Sequence, residues 1–488
     1  MKKMPIFLLF LLLFQTAASA AALYVSQTGS GSACSSAAPC ALNSAINLAR
    51  AGDTIYLRTG FYGDLNISGR RNGGYVTIAA QPGHTPGAKA VVVRNSSRWI
   101  IRSLKISPEL TSPYDPTYLI HIQSDSDDIV IEDNDLYYNQ DSSGWTASDW
   151  IARTQRYALF TEGTNITIRN NHLKNVRFGI VVRGRHTLIE SNIIENIGGD
   201  GISVNTSDVT IRYNTLKNFH DVDENHDDAI QFHRGGELSI PIENIIVRGN
   251  LIIGVEPHAT HPLSKSPQGI CGFDKGVTGF LTNFVVENNV VLVQQGHGIS
   301  IYGATNSRIV NNTTFDPLGE YRAHIHLENR GQDTLVRNNI ASGYTIGGTG
   351  MTTDHNIDID DYGPGILFVD YQNYDVRHRK GSPAINAGSS AQAPDTDING
   401  VSRPQGSGYD IGAYEYVTEG QQPPLSGDVS GNGEITSYDA SLAAQYAINM
   451  IGLLPEEVER ADVSGNDEVT SYDASLIAQY AIGLIGGF

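Results

Sequence analysis

One ten-residue phrase occurs three times in succession: ITIRNNHLKN at 166–175, TLIESNIIEN at 187–196 and VTIRYNTLKN at 209–218. Each copy alternates apolar and polar residues, places an asparagine, and resumes with an apolar residue. The asparagines are Asn171, Asn192 and Asn214, at steps of 21 and 22 residues. The phrase returns around Asn134, Asn250, Asn289, Asn312 and Asn339, where longer steps imply inserted loops. A fixed period of this length is a solenoid signature, and alternation inside it means strands. One coil of about 22 residues holding two or three short strands has the pitch of a right-handed parallel β-helix. An asparagine at each corner suits such a stack, because Asn tolerates the left-handed region and its amide can bond the next coil. A sandwich of hairpins would need Asn-Gly type turns, which are rare here.

Composition narrows the function. The formal charge of −19 argues against nucleic acid as a partner. That charge is uneven: residues 427–488 hold ten acids and one base (Arg460), a net of −9, leaving −10 for the far longer remainder. Residues 1–20 have the form of a secretory signal: Lys2 and Lys3, an apolar Pro5–Phe14, then Ala18-Ser19-Ala20. No stretch is long enough to span a bilayer, so the expected product is exported and soluble, extracellular or attached to a surface or complex. In that oxidising setting Cys34 and Cys40 are expected to pair, leaving Cys271 as a packed thiol.

The expected organisation is all-β: a solenoid over 23–416, a polar linker over 417–426, and a small helical module over 427–488. Within the solenoid, 23–64 forms an N-terminal cap with a short helix from Asn43 to Arg50 and a first strand Thr54–Arg58. Coils follow over about 75–344 and a closing segment over 345–416, in which Asp395-x-Asp397-x-Asn399-Gly400 reads as a turn. The opening resembles the N-terminal cap of β-helix polysaccharide lyases and related proteins. A cap is physically required, since an open end would expose core side chains and strand edges.

The last module contains two near-copies, GDVSGNGEITSYDASLAAQYAI (427–448) and ADVSGNDEVTSYDASLIAQYAI (461–482), offset by 34. Oxygen side chains stand at alternate positions and an acid closes each loop before an amphipathic helix, as in an EF-hand loop. The ligand candidates are Asp428, Ser430, Asn432, Glu434 and Asp439, then Asp462, Ser464, Asn466, Glu468 and Asp473, the two glutamates standing where a backbone carbonyl would serve. This duplicated loop-helix resembles a type I dockerin. The resemblance implies Ca²⁺ as cofactor and a cohesin-type domain as partner. Ser at the third loop position, and Asp467 in place of the turn glycine, depart from that family's pattern.

Along the coils an inward hydrophobic aligns at Ile122, Leu159, Ile180, Ile202, Ile230, Ile270, Ile299 and Ile325. Ahead of these stand Asp200, the Asp227-Asp228 pair and His297, with Gln268 between the last two; His226 and His233 flank the pair. Three residues beyond each inward position lie Arg183, Asn205, His233, Phe273, Tyr302 and Glu328, while His324 and His326 flank Ile325. Solenoid cores have no need of paired acids and histidines, and burying them unpartnered is costly. The catalytic candidates are therefore Arg183, Asp200, Asp227, Asp228, His233, Lys275, His297, Tyr302 and His324.

Two chemistries suit such a face. Carboxylates holding Ca²⁺ against a uronate, with a nearby base, would carry β-elimination; an Asp pair around a water would invert a glycosidic bond. The acids resemble the calcium cluster of β-helix pectate lyases that use a lysine base, with Gln231 where a further acid is expected and Lys275 as the base. The Asp-Gly, Asp-Asp and Gly-His-Gly blocks resemble those of polygalacturonases, with an extra coil before His297 and no Arg-x-Lys clamp after it. The expectation is a polysaccharide lyase acting on a uronic-acid-containing polymer. The alternatives are an inverting hydrolase and a non-catalytic glycan-binding solenoid.

Overall fold

The computed structural model describes residues 20–111, 118–154, 157–234, 240–257, 259–273, 276–277, 279–418, 426–430, 435–448, 450–465 and 468–481. The expected signal segment lies outside them apart from Ala20, as do Lys275, Asn432, Glu434 and Asn466. Among the described residues no helix is long and apolar enough to cross a membrane.

The repeated phrase folds as its alternation dictates. Thr164–Arg169, Thr187–Glu190 and Val209–Arg212 lie side by side in a sheet of 13 strands. The residues after each asparagine, His172–Val176, Ile193–Ile197 and Thr215–Phe219, lie in a second sheet of 12. The next strand of each coil, such as Phe178–Val182, Ile202–Val204 and Asp228–Phe232, lies in a third sheet of 11. Neighbouring strands in all three are parallel and pair one coil with the next, giving a right-handed β-helix. The inward residues form one continuous core: Ile180, Ile202, Ile230, Ile270, Ile299 and Ile325 are fully buried and stacked in register. Burying each such side chain contributes about 1.5–3 kcal/mol. The column passes through Ile120 rather than Ile122, because Ile120 is the residue that pairs with Leu159. Ile122 also faces inward, two positions further along the strand, so alternation alone could not distinguish them.

The asparagines form an unbroken ladder. Each Nδ2 donates to the next coil's Oδ1, as in Asn171 to Asn192, Asn192 to Asn214 and Asn214 to Asn250, all at 3.0 Å. Each backbone N–H donates to the same oxygen, as from Asn192 to Asn214 at 3.0 Å. The left-handed residue is not the ladder asparagine itself but the one before it: Ser191 (φ 53°), Tyr213 (φ 58°) and Asn311 (φ 53°). The ladder side chain must point inward to meet its neighbours, and the preceding residue takes up the turn. Coil pairing extends beyond the span of the asparagine phrases, from Thr54–Leu57 to Ile357–Asp358. The final coil shrinks to a step of 17 residues, from Asn339 to Asn356.

At the N-terminal end, the helix is Leu42–Leu48 rather than running to Arg50. The Asp53 carboxylate accepts from the Arg50 N–H at 2.8 Å and from the Ala21 N–H at 2.8 Å, drawing the chain out of the helix. Cys34 and Cys40 are disulfide-bonded beside this helix, and Cys271 is a buried free thiol. At the other end the closing segment turns at Asp397, whose Oδ1 accepts from Asn399 and Val401 at 2.8 Å. It is pinned by Arg403 and Glu415, both fully buried, at 2.8 Å.

The chain divides into two compact units, Met1–Glu415 and Tyr416–Phe488. In the second, helices Ser437–Ala447 and Ser471–Ala481 are equivalent members of the two sequence copies. Each follows a threonine whose N–H and hydroxyl both donate to the closing acid: Thr436 to Asp439 and Thr470 to Asp473, all at 2.8 Å. Val429, Ala440, Ala443, Ala461, Ala474 and Ile477 form its core.

Candidate active site

The acids and histidines share the outer face of the 11-stranded sheet. A bend in each strand brings this about. Gly201, Ala229, Gly269 and Gly298 precede the inward isoleucines, and a Cβ on Gly201 would come within 2.5 Å of the core Leu216 side chain. Both that small residue and the isoleucine therefore face inward, and the residue ahead of the pair turns out. Asp228 and Gln268 are register partners at this outward position.

Three carboxylates meet there. The Asp200 Oδ1 accepts from the Asp228 N–H at 3.1 Å, and Asp228 is fully buried. Gln231 donates to Asp228 Oδ2 at 2.5 Å, and His226 Nδ1 lies 3.8 Å from the same oxygen. The other Asp228 oxygen, Oδ1, is buried without a hydrogen-bond partner. Asn225 donates to Asp227 at 3.0 Å, and the Gln268 amide lies 2.7 Å from His226 Nε2. Among the described residues no Lys or Arg forms an ion pair with any of the three acids. Burial, reinforced by the Asp228 charge, pushes the Asp200 carboxyl up to about 7. Burial also lifts Asp227 to about 6, with Asp223 and Asp221 adding to the effect. The contact with Asp228 raises His226.

A second group continues along the face. Tyr302 and His326 approach at 3.2 Å between the hydroxyl and Nδ1, and the His297 and His326 rings stack at 5.8 Å. Phe273 bridges the groups, with ring centroids 6.3 Å from His226, 5.9 Å from His297 and 4.9 Å from Tyr302. Burial, then the His226 charge, lowers His297; burial and His297 lower His326. Burial pushes the Tyr302 hydroxyl up to about 12. These imidazoles are neutral near pH 7.

The structure thus brings Asp200, Asp227 and Asp228 together and sets His297 and Tyr302 beside them. His233 lies on the same face, its Nε2 3.2 Å from Ser203 Oγ. His324 pairs with His297 across a register shift, and burial and Arg322 lower its pKa. Arg183 stands apart from the acids, over the Phe160 ring at 5.1 Å and 3.9 Å from Glu162. His226, Gln268 and His326 join the site although they were not among the sequence candidates. The outward alternation one residue past Ile325 points to His326; the spacing of two before Asp228 points to His226.

The elevated Asp200 carboxyl has a consequence for stability. Its folded pKa lies above the usual 3.8, so its contribution is fully present below that value and is lost as pH rises through about 7. Asp200→Asn keeps the oxygen that Asp228 N–H uses and removes the charge. It is expected to be more stable than the parent by on the order of a few kcal/mol at pH 8 and no more stable at pH 4. Thermal melts of both proteins across this range check it, and parallel curves would refute it.

Residues 89–274 and 157–378 match the right handed beta helix region family, together more than half the chain, and residues 426–481 match the dockerin type I domain. No curated protein matches the sequence. Among solved structures, pectate lyase Pel9A is 14% identical with a TM-score of 0.41, the alignment covering 81% of this chain and 96% of that one. XylC in complex with xylose is 11% identical with a TM-score of 0.49, covering 81% and 98%. The A-module of the mannuronan C-5 epimerase AlgE6 from Azotobacter vinelandii is 14% identical with a TM-score of 0.38, covering 64% and 93%. At such identities the likeness is one of fold. With three parallel sheets, an asparagine ladder and a duplicated loop-helix at its C-terminal end, the chain belongs to the right handed beta helix family and carries a dockerin type I domain.

Proposed function

We propose that the protein is an extracellular polysaccharide lyase that cleaves a uronic-acid-containing glycan on the outer face of the 11-stranded sheet. The observation that carries this is the buried Asp228 Oδ1, without a hydrogen-bond partner and beside Asp200 and Asp227, with the neutral imidazoles of His297 and His326 two and three coils further along. Acids and histidines facing opposite sides would favour a binding module; here they share one surface.

Among the described residues no group of three or more His, Cys, Asp or Glu side chains is placed to hold a metal ion. Asp228 Oδ1 would instead be one protein ligand of a Ca²⁺ whose remaining shell comes from amide oxygens, water and the substrate's own carboxylate, since Ca²⁺ accepts such mixed oxygen sets. When bound, the cation would offset the uronate charge and acidify the hydrogen on the adjacent carbon. His297 accepts that proton as the bond from the next carbon to the glycosidic oxygen breaks. The departing oxygen takes its proton from water.

A second reading has one observation in its favour. A protonated Asp200 beside the Asp228 carboxylate is also the acid and base pair of an inverting hydrolase. A panel of acidic and neutral polysaccharides separates the two. Elimination yields ultraviolet-absorbing unsaturated ends together with reducing ends, and chelator suppresses both. Reducing ends without absorbance would mean hydrolysis, and neither signal would mean a binding protein.

The dockerin unit supports a place in an extracellular assembly, held through a cohesin-type domain. Its described donors are all oxygen: Ser430 Oγ donates to Asp428 at 3.2 Å and Ser464 Oγ to Asp462 at 3.2 Å, beside the buried Asp439 and Asp473. Burial opposes the Asp439 charge, but hydrogen bonds from Ser430 and Thr436 hold its carboxyl below the usual range. This set suits Ca²⁺. Residues 427–488 are expected to gain helix when Ca²⁺ replaces chelator, because binding a cation offsets two acid-crowded loops. Circular dichroism of that segment is the check, and an unchanged spectrum would contradict it.

A further inference from the structure

On the N-terminal side of the acids, the same face changes character. The three preceding coils present mainly rings, with Glu162, 3.6 Å from His121, as the single acid among the described residues: Tyr118 and His121, then Tyr157 and Phe160, then Phe178. They stand in the same outward columns as the catalytic cluster. Tyr157 pairs with Phe178, directly before the coil of Asp200, and His121 pairs with Phe160. Tyr118 stacks on Phe160 with centroids 5.7 Å apart, and His121 stacks on Phe160 at 5.1 Å. Tyr157 meets Phe178 edge-on at 5.6 Å. Gly199 makes room for the last ring, since a Cβ there would come within 3.0 Å of it. Phe160 is almost covered by its neighbours, while Tyr118, Tyr157 and Phe178 remain partly open. Two cations stand over these rings: Arg183, about half exposed, 5.1 Å above Phe160, and Arg177, paired with Asp223, 5.0 Å above Phe178.

We infer that this patch is a substrate subsite, on which sugar rings of an acidic glycan stack against Tyr118, Tyr157 and Phe178 while Arg183 receives a carboxylate. The inference rests on the reading above that the acidic face works on a glycan. Three features select that occupant. The patch runs without a break into the acid cluster, so a chain held there continues into it. Successive rings lie on adjacent coils, Tyr118 and Tyr157 with centroids 6.0 Å apart and Tyr157 and Phe178 5.6 Å apart, so each coil offers a ring to a chain running along the face. Flat apolar faces beside a half-exposed guanidinium, which Glu162 meets only at 3.9 Å, match a polymer whose units carry a C–H face and a carboxylate. The protein thereby separates two tasks: rings and Arg183 hold the anionic chain, and the acids act where it passes beyond them.

Affinity electrophoresis of the full-length protein through gels containing polygalacturonate, alginate or xylan tests this, alongside thermal melts and product assays. The parent is expected to be retarded by an acidic polymer. Tyr157→Ala and Phe178→Ala are expected to bind it about tenfold more weakly, as the loss of one ring contact implies. Tyr157→Leu and Phe178→Leu, which keep apolar bulk but lose the flat face, should weaken it similarly with little change in Tm. Arg183→Gln should lose the preference for acidic over neutral polymer. Unchanged retardation in the leucine variants overturns the subsite, as does binding that falls only in step with Tm. A parent that no polymer retards overturns it too. Retardation that depends on the rings without any product would keep the subsite and defeat the lyase reading. Product formation with ring variants that bind like the parent would do the reverse.

Discussion

Asp228→Ala is expected to lower the turnover of an acidic polysaccharide by about a hundredfold or more, the scale of losing a positioned acid-base or charge-holding group. Two contacts meet at the Asp228 Oδ2, Gln231 at 2.5 Å and His226 at 3.8 Å, while the buried Oδ1 has no hydrogen-bond partner. The Tm should change little. Removing one of three crowded carboxylates relieves repulsion that now raises Asp200, and this offsets the lost hydrogen bond. A solenoid also spreads its stability over many coils. Initial rates by ultraviolet absorbance, paired with a thermal melt, decide the matter. Full activity would move the site elsewhere on the protein. A large fall in Tm with normal specific activity would make Asp228 part of the scaffold.

The ladder should behave in the opposite way. Asn250 accepts from the Asn214 backbone and side chain, both at 3.0 Å, and donates to Ile211 O at 3.0 Å and Asn289 Oδ1 at 2.9 Å. All of these groups are buried. Asn250→Ala therefore leaves several unmet donors and acceptors at once, and the expected loss is at least about 3 kcal/mol. Asn244→Ala, at an exposed left-handed position of the same coil (φ 58°) where the amide bonds Asp208 at 2.8 Å and Asn283 at 3.1 Å in reach of water, should cost only about 1 kcal/mol. Urea denaturation of the two variants measures the contrast. A loss below about 1 kcal/mol at Asn250 would mean that water or a neighbouring amide replaces the missing side chain.

How much of this was legible in the sequence depends on how local each feature is. The coil phrase, the ladder asparagines and the paired loop-helices are written in fixed steps, so spacing alone exposes them. The disulfide was legible for the same reason, its cysteines lying six residues apart. The acids stood out because paired carboxylates are out of place in a solenoid core. Other features depend on how coils settle against one another. The left-handed position falls on Ser191 or Tyr213 rather than on the asparagine that follows, because the ladder requires the amide to point inward. The inward column begins at Ile120, a register that two equally apolar residues in one strand leave open.

The acid site itself shows the division most clearly. Strict alternation would set Asp228 on the same side as Ile230, in the core. The alanine and glycines between these positions let both they and the isoleucines face inward, and the strand bends so that the acid emerges beside Gln231. The sequence by itself determined the repeat, the stacked asparagines, the two-loop module and the residue types able to do chemistry, since each is carried by local spacing. Only the tertiary structure decided which of those side chains meet. Stacking draws together residues as far apart as Asp200 and Gln268 in adjacent or next-adjacent coils, and inserted loops of unequal length hide that nearness from any reading along the chain.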